Sequence, residues 1–258
     1  MEQKFEVDKL RVFRYQTRED MGTNAGYMAA KAIREALDKK ETLNIVFAAA
    51  PSQNEFLHSL CKNTDIEWAR INAFHMDEYV GLVNGQTGSF SGFLANAIFD
   101  KVPLKSVNYI NGGAADVEQE CARYTALLAK HDIDFVFMGV GENGHIAFND
   151  PGVADFNDKA VIKVVKLDLV CRMQQVHDNC FPKLEDVPTM AYTLSIPTLM
   201  SAKTVFCIVP GSSKAQAVRR LLNNDITTAC PASVLRTHAN AKLFLDAESS
   251  EEAFIDLQ

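Results

Sequence analysis

Phe137-Met-Gly-Val-Gly-Glu-Asn-Gly-His-Ile-Ala-Phe-Asn-Asp-Pro151 joins an apolar run to a loop that carries three glycines, a histidine and a carboxylate. The residues leading into it, Ile133 to Met138, have the length and the β-branched and aromatic content of an interior strand. Gly139, Gly141 and Gly144 then let the backbone turn sharply and leave room for a ligand to approach the main chain. His145, with an unperturbed pKa near ~6.5, is the side chain best suited to move protons at neutral pH. Asp150 follows five residues later, a carboxylate able to hold the imidazole in one tautomer and stabilise its cation. The stretch reads as the floor of an active site.

The same glycines match the dinucleotide pattern G-x-G-x-x-G, and Val161 to Leu167 followed by Asp168 imitates the second strand and ribose-binding acid of such a site. A dinucleotide site, however, needs a helix opening at the third glycine to face the pyrophosphate. Asn149, Asp150, Pro151 and Gly152 forbid an amphipathic helix there, so nicotinamide or flavin binding is set aside.

Working toward the N-terminus, Trp68 to Met76 reads as a strand that breaks into Asp77-Glu-Tyr-Val-Gly81. If the pleat continues, His75 and Asp77 share a face and Glu78 points away. That H-x-D pair could ligate a metal, but nothing nearby completes a ligand set, and Asp77 can equally be a turn or helix cap. Leu43 to Ala50 is a buried strand ending at Pro51-Ser-Gln-Asn-Glu55, where Ser52 and Glu55 form a capping box. A strand running into a helix N-terminus is a ready anion site, which makes Ser52, Gln53 and Asn54 candidate ligands; equally, Ser52 merely caps its helix. Glu55 would compete with an anion for the same amides. Further back, Thr17-Arg-Glu-Asp20 caps a helix with apolar positions from Met21 to Leu37.

Toward the C-terminus, the polar segment Asp168 to Asp186 holds Arg172, Gln174, Gln175 and His177 without a readable period. Thr204 to Pro210 is another strand, breaking at Gly211-Ser-Ser-Lys214 before a helix over Ala215 to Asn223. A lysine in the first turn opposes the helix dipole, so Lys214 either meets a bound anion or is a solvated surface residue. Lys242 to Asp246 closes the core as a last strand, and the acidic end from Glu248 is a helix or tail.

The 258 residues, 47% hydrophobic, suit one large α/β domain spanning 1–258. No apolar run is long enough to cross a bilayer and the start lacks a secretion signal, so a cytoplasmic protein without membrane contact is expected. Six cysteines with no C-x-x-C pair read as buried thiols, neither a disulfide frame nor a zinc site. A net charge of −7 argues against nucleic-acid binding, though a few local cations can still hold a small anion.

Met76-Asp-Glu-Tyr-Val-Gly-Leu82, Gly139-Val-Gly-Glu-Asn-Gly-His-Ile-Ala-Phe-Asn149, Gly211-Ser-Ser-Lys214 and Cys230-Pro-Ala-Ser233, taken together, resemble the glucosamine-6-phosphate deaminase/isomerase family, from about Leu43 to Asp246. The sister 6-phosphogluconolactonases share a similar glycine–histidine core but continue toward Ala-Ser-Leu-Phe-Pro, unlike His145-Ile-Ala-Phe-Asn-Asp-Pro151. The resemblance implies a modified Rossmann-like three-layer α/β sandwich with a mostly parallel central sheet and a site at the C-terminal ends of its strands. It implies an aminosugar-phosphate isomerase/deaminase of N-acetylglucosamine catabolism, classed with hydrolases as well as isomerases, which converts glucosamine 6-phosphate or galactosamine 6-phosphate to the ketose phosphate and ammonia. Asp77 would carry the proton between C2 and C1. His145, oriented by Asp150 and Asn143, would open the sugar ring. Lys214 and the amides around Ser52, with Gln53, Asn54, Gly141 and Arg172 nearby, would bind the substrate and its phosphate, with no metal or organic cofactor. Homo-oligomerisation stays open. A lactonase, or a non-catalytic sugar-phosphate-binding relative, is the alternative.

Three departures from the family pattern stand out. Pro51-Ser-Gln-Asn-Glu55 replaces a glycine-rich phosphate loop. Asn143 and Asp150 stand where Asp and Glu are usual. Val153, Ala160 and Ile162 occupy the region of the allosteric site of some hexameric members, which implies no such activation.

Overall fold

Strands that alternate an aromatic with an aliphatic residue set the architecture. The computed structural model describes residues 3–253. Its main sheet comprises β1 (Gln3–Val7), β2 (Leu10–Arg14), β3 (Leu43–Phe47), β4 (Ile71–His75), β6 (Ser106–Asn108), β7 (Phe135–Met138), β10 (Thr204–Val209) and β11 (Ala241–Leu245). The strand order is β1-β2-β11-β10-β7-β3-β4-β6, parallel except for the β1–β2 pair.

Because side chains alternate across a strand, Phe13, Phe244, Phe206, Phe137 and Phe47 emerge on one face of five adjacent strands. Their rings form a continuous row with centroids 5.1, 5.6, 5.7 and 5.3 Å apart. Under it pack α1 (Arg18–Leu37) and α2 (Asn54–Cys61). Val12, Leu243, Cys207, Val136 and Val46 line the opposite face, covered by α4 (Val117–Leu128), α6 (Ile196–Met200) and α7 (Ala215–Asn223). Loss of a central ring such as Phe137 would cost about 3–5 kcal/mol, since a close-packed interior relaxes only partly around a cavity.

The chain order places the site. From β3 the chain moves outward through β4 and β6, then returns to the other side of β3 as β7 before continuing to β10 and β11. The loops that follow β3 and β7 therefore leave the sheet in opposite directions and open a crevice at the carboxyl ends of the strands, where α/β sheets bind ligands.

Three details depart from the sequence reading. The run from Trp68 to Met76 is not one strand. Trp68–Arg70 form a single 3-10 turn, and after β4 the chain leaves the main sheet to form β5 (Asp77–Tyr79). β5 pairs antiparallel with β9 (Met190–Leu194), and β9 with β8 (Ile162–Lys166), as a second, three-stranded sheet. The polar segment after β8 contains α5 (Leu169–His177), capped by Asp168, which accepts from the Cys171 N–H at 2.6 Å. The Ser52–Glu55 capping box does not form: Pro51–Gln53 make a 3-10 turn, and no side chain caps α2. The Thr17 cap does form, accepting from the Asp20 N–H at 3.0 Å. The acidic end runs in turns from Glu248 to Ala253, and its remainder lies outside the described residues. All six cysteines are free, three of them buried. Among the described residues no helix is long and apolar enough to cross a membrane.

Candidate active site

The loop after β7 folds back on itself, with the Gly141 N–H donating to the His145 carbonyl at 3.0 Å. This places the His145 ring directly over Gly141, where a Cβ would lie only 2.1 Å from the imidazole. Glycine is therefore required at 141 by close approach of the histidine. No helix begins between Gly139 and Val161, which removes the dinucleotide reading.

His145 is held by Asn143 and Asp150 together. The Asn143 Oδ1 accepts from the His145 main-chain N–H at 3.0 Å, which fixes the orientation of its carboxamide. The same oxygen lies 2.8 Å from His145 Nδ1, and Asp150 Oδ1 lies 3.0 Å from it. Two oxygen acceptors at Nδ1 place the ring proton there, so Nε2 is left as the basic nitrogen. Asn143 Nδ2 in turn donates to Asp150 Oδ1 at 2.9 Å and closes the triangle. Burial alone would raise the Asp150 carboxyl, but the bonds from His145 and Asn143 outweigh it and hold the pKa below the ordinary carboxylate range.

Asp77 faces the same cleft from the second sheet, at the first position of β5. It is 7% exposed and its Oδ1 has no hydrogen-bond partner. Burial, and then the adjacent Glu78 carboxylate, push its pKa well above the usual range. Glu78 itself is fully buried and accepts three main-chain N–H groups, from Tyr79 (2.9 Å), Phe90 (3.0 Å) and Ser91 (2.8 Å). His75 stays behind in the main sheet. Its Nε2 accepts from the Ile110 N–H at 2.7 Å, and burial lowers its pKa to about 3, so it is a neutral structural acceptor. The H-x-D pair is split by the change of sheet.

Lys214 enters from the loop after β10. It is buried, its Nζ has no hydrogen-bond partner, and its nearest carboxylate, Glu142, lies 3.9 Å away. Burial holds its pKa below the ordinary lysine value. An ammonium withdrawn from water without a bonded partner is costly, and an anion in the cleft would offset that cost. Ser52 lines the cleft from the loop after β3, beside Gly139. Gln53 is buried against it, donating to the Ser52 Oγ at 3.1 Å and to the Ile208 carbonyl at 3.2 Å. The acid that the sequence set against phosphate binding is already occupied: Glu55 pairs with Arg18 at 2.8 Å.

Two expected contacts are not made. Asn54 is exposed and borders a different hollow, beside Glu19 and Lys101, because the first turn of α2 rotates it away. Arg172 does not line the cleft; its guanidinium donates to the Leu184 and Val187 carbonyls at 2.7 and 2.9 Å and ties down the chain after α5. In its place, Gln174, Gln175 and Asp178 of the α5 segment form one wall, and Gln174 accepts from the Glu142 N–H at 2.9 Å. Two adjacent buried glutamines in a polar segment were the available signal, but without a helical period nothing in the sequence aimed them at the site.

His145, Asp150 and Cys171 offer ligand atoms within 4.8 Å of one another, the one such group among the described residues. Any ion there would compete for the imidazole nitrogen that Asp150 already holds.

A glycine-floored histidine with a carboxylate partner, a desolvated carboxylate and a buried ammonium are gathered where a doubly wound sheet reverses its strand order, residue types that suit acid–base chemistry on an anion. The chain belongs to the family of glucosamine-6-phosphate isomerases/6-phosphogluconolactonase, whose model matches residues 16–244. It is 37% identical over 225 residues to glucosamine-6-phosphate deaminases from Bacillus cereus (strain B4264) and Bacillus thuringiensis (strain Al Hakam), covering 87% of this chain and 82% of each relative. Its fold superposes on a monomeric glucosamine-6-phosphate deaminase with a TM-score of 0.85 and 30% identity, over 93% of this chain and 99% of that one. The 6-phosphogluconolactonase from Trypanosoma brucei shares the fold, at a TM-score of 0.78 and 18% identity, over 96% of this chain and 99% of that one. These matches bear out the family and the mostly parallel Rossmann-like sandwich. They also correct the expectation of a hydrolase: the similar proteins are named deaminases and the family isomerases, so deaminase/isomerase is the class they support.

Proposed function

We propose that this chain isomerises and deaminates a phosphorylated aminosugar, glucosamine 6-phosphate or its galacto epimer, giving the ketose 6-phosphate and ammonia. The observation that supports the reading is the presence, in one cleft, of a desolvated carboxylate, Asp77, and a buried ammonium, Lys214, neither with a hydrogen-bond partner for its buried atom among the described residues. In this reading the phosphate lies against Lys214 and the amides around Ser52. His145 Nε2 takes the proton of the C1 hydroxyl and returns it to the ring oxygen as the ring opens. Asp77 then takes the proton from C2 and delivers it to C1, while the C2 ammonium gives up one proton to the C1 oxygen, so that the aldehyde becomes a hydroxymethyl group and the amine an iminium. The iminium at C2 adds one water and releases ammonium, leaving the ketone.

The raised pKa of Asp77, set by burial and then by Glu78, makes it a better base than an ordinary carboxylate and an acid that can give the proton back. All the residues involved come from one chain, so the reading requires no second copy.

The test is ammonium release by purified protein given glucosamine 6-phosphate, galactosamine 6-phosphate or unphosphorylated glucosamine, with ketose phosphate followed in parallel. Turnover of one phosphorylated epimer and not of the free sugar is expected. Hydrolysis of 6-phosphogluconolactone without ammonia release from either epimer would overturn the proposal.

A further inference from the structure

A large concavity lies away from the active site. It lies at the opposite, N-terminal edge of the main sheet, encloses about 770 Å³, and runs between α1 and the first residues of β2, β7, β10 and β11. That volume is in the range of small-molecule sites, roughly 300–1,000 Å³.

Its charge is the reverse of the chain's. Six cations and two carboxylates line it, in a protein of net charge −7. The carboxylates are already committed. Asp134 takes Lys40 at 2.7 Å and Lys203 at 3.2 Å on one oxygen, and the Asn44 N–H at 3.0 Å on the other. Glu35 stands 3.9 Å from Lys31, one turn away on α1.

Among the described residues Arg11 and Lys242 make no ion pair, although Glu6 stands opposite Arg11 across the β1–β2 pair. They are register partners on the parallel strands β2 and β11, and both donate to a single neutral acceptor, Asn240 Oδ1. Like charges side by side on one sheet face repel, and a lone amide oxygen cannot neutralise two cations. Lys242 also lies 4.6 Å from the Phe206 ring centroid. Burial, and then Arg11, bring its pKa down to about 8 against a smaller opposing pull from Glu35. The facing wall, α1, sets Tyr27, Met28, Ala32 and Ala36 among Lys31 and Glu35, and on it Tyr27 is 60% exposed.

We propose that this cleft is a second ligand site, for a small polyanion bearing a flat ring, of the nucleoside di- or triphosphate class. The phosphates lie between Arg11 and Lys242, where the guanidinium offers paired donors, and the ring lies along α1 against Tyr27. The site is separate from the aminosugar cleft and does not depend on the reading given to it.

Calorimetric titration of the full chain with ATP, pyrophosphate and adenosine, without divalent metal and at low ionic strength, tests the assignment. ATP and pyrophosphate should each saturate at one site per chain, more weakly as salt is added. Lys242→Met should weaken both by about tenfold or more, and Arg11→Gln should do the same should the first variant fail to fold. Tyr27→Ala should weaken ATP and leave pyrophosphate unchanged. Saturating glucosamine 6-phosphate should displace neither. Absence of saturable binding below about 1 mM, well under the affinity a charge-paired site should reach, would overturn the proposal. So would binding that survives both charge substitutions, ATP binding indifferent to Tyr27→Ala, or displacement by the aminosugar phosphate.

Discussion

Asp77 and Asp150 are both buried acids of the same site, and their surroundings push them in opposite directions. Asp77 accepts no hydrogen bond among the described residues and has a second carboxylate next to it, and its pKa rises. Asp150 is buried as well and also has one oxygen without a partner, yet its pKa falls, because an imidazole and a carboxamide donate to its other oxygen. Burial alone therefore does not decide the charge of a carboxylate; its partners do. The difference matches the roles in the proposed mechanism, where the acid that is easily protonated exchanges protons with substrate and the anion orients the histidine.

The largest effect should follow from removing the proton carrier. Asp77→Asn is expected to lower kcat by roughly 10²–10⁴-fold with KM little changed, because a positioned acid–base group contributes on that scale. The same substitution should stabilise the fold. An acid whose pKa is raised on folding holds its proton more tightly in the native state, so its contribution is lost as pH rises from the ordinary carboxylate range through the raised value. At pH 7.5 the asparagine escapes that penalty, and the melting temperature should rise by about 2–4 °C for each kcal/mol recovered. Unchanged turnover would remove Asp77 from the mechanism, and a lower melting temperature would show that its carboxylate is structural.

Asp150→Asn should move stability the other way. A carboxylate with a depressed native pKa contributes stability above its unfolded pKa and loses it as pH falls through the folded one. Its removal should lower the melting temperature at pH 7.5, and the difference from wild type should shrink toward acid pH. Turnover should fall by about 10²-fold, less than for Asp77, since Asn143 still accepts from the ring nitrogen. Melting curves of both variants at pH 7.5 and pH 4 break the comparison if the two shift in the same direction.

The strand ends, the glycine turn and the His145–Asp150 pairing were legible in the sequence because they depend on local pattern. A short apolar run stopped by glycine admits few readings, and α7 spans the predicted Ala215 to Asn223. What escaped depends on partners distant in the chain. The chain's exit from the main sheet after His75 is set by pairing of Asp77–Tyr79 with Ala191–Thr193, more than a hundred residues on. The neutralisation of Glu55 comes from Arg18 in α1. Asn54 and Arg172 carry the right chemistry for a phosphate site, but helix rotation and a competing pair of carbonyls decide where they point. The first two strands were missed because β1, at one edge, has its residues half-buried or exposed and shows no apolar run.

The smallest effect is the most specific test of the pair. Glu78→Gln removes the charge that, after burial, raises Asp77, while the amide oxygen can still accept from the Tyr79 and Phe90 N–H groups. The Ser91 N–H then meets an amide nitrogen in place of the oxygen it now has at 2.8 Å, which weakens that turn by about 1 kcal/mol. With one like charge gone, Asp77 should ionise more readily, so the acid limb of the kcat/KM profile should move to lower pH. The plateau should drop by roughly a few-fold, because a carboxylate of lower pKa is a weaker base. The groups that shift Asp150 are His145, Asn143 and Asp168 and not Glu78, so the stability difference due to Asp150→Asn should be the same in either background. An acid limb that stays in place, in a variant that remains folded and active, would mean that burial alone sets Asp77 or that another group takes the proton from C2.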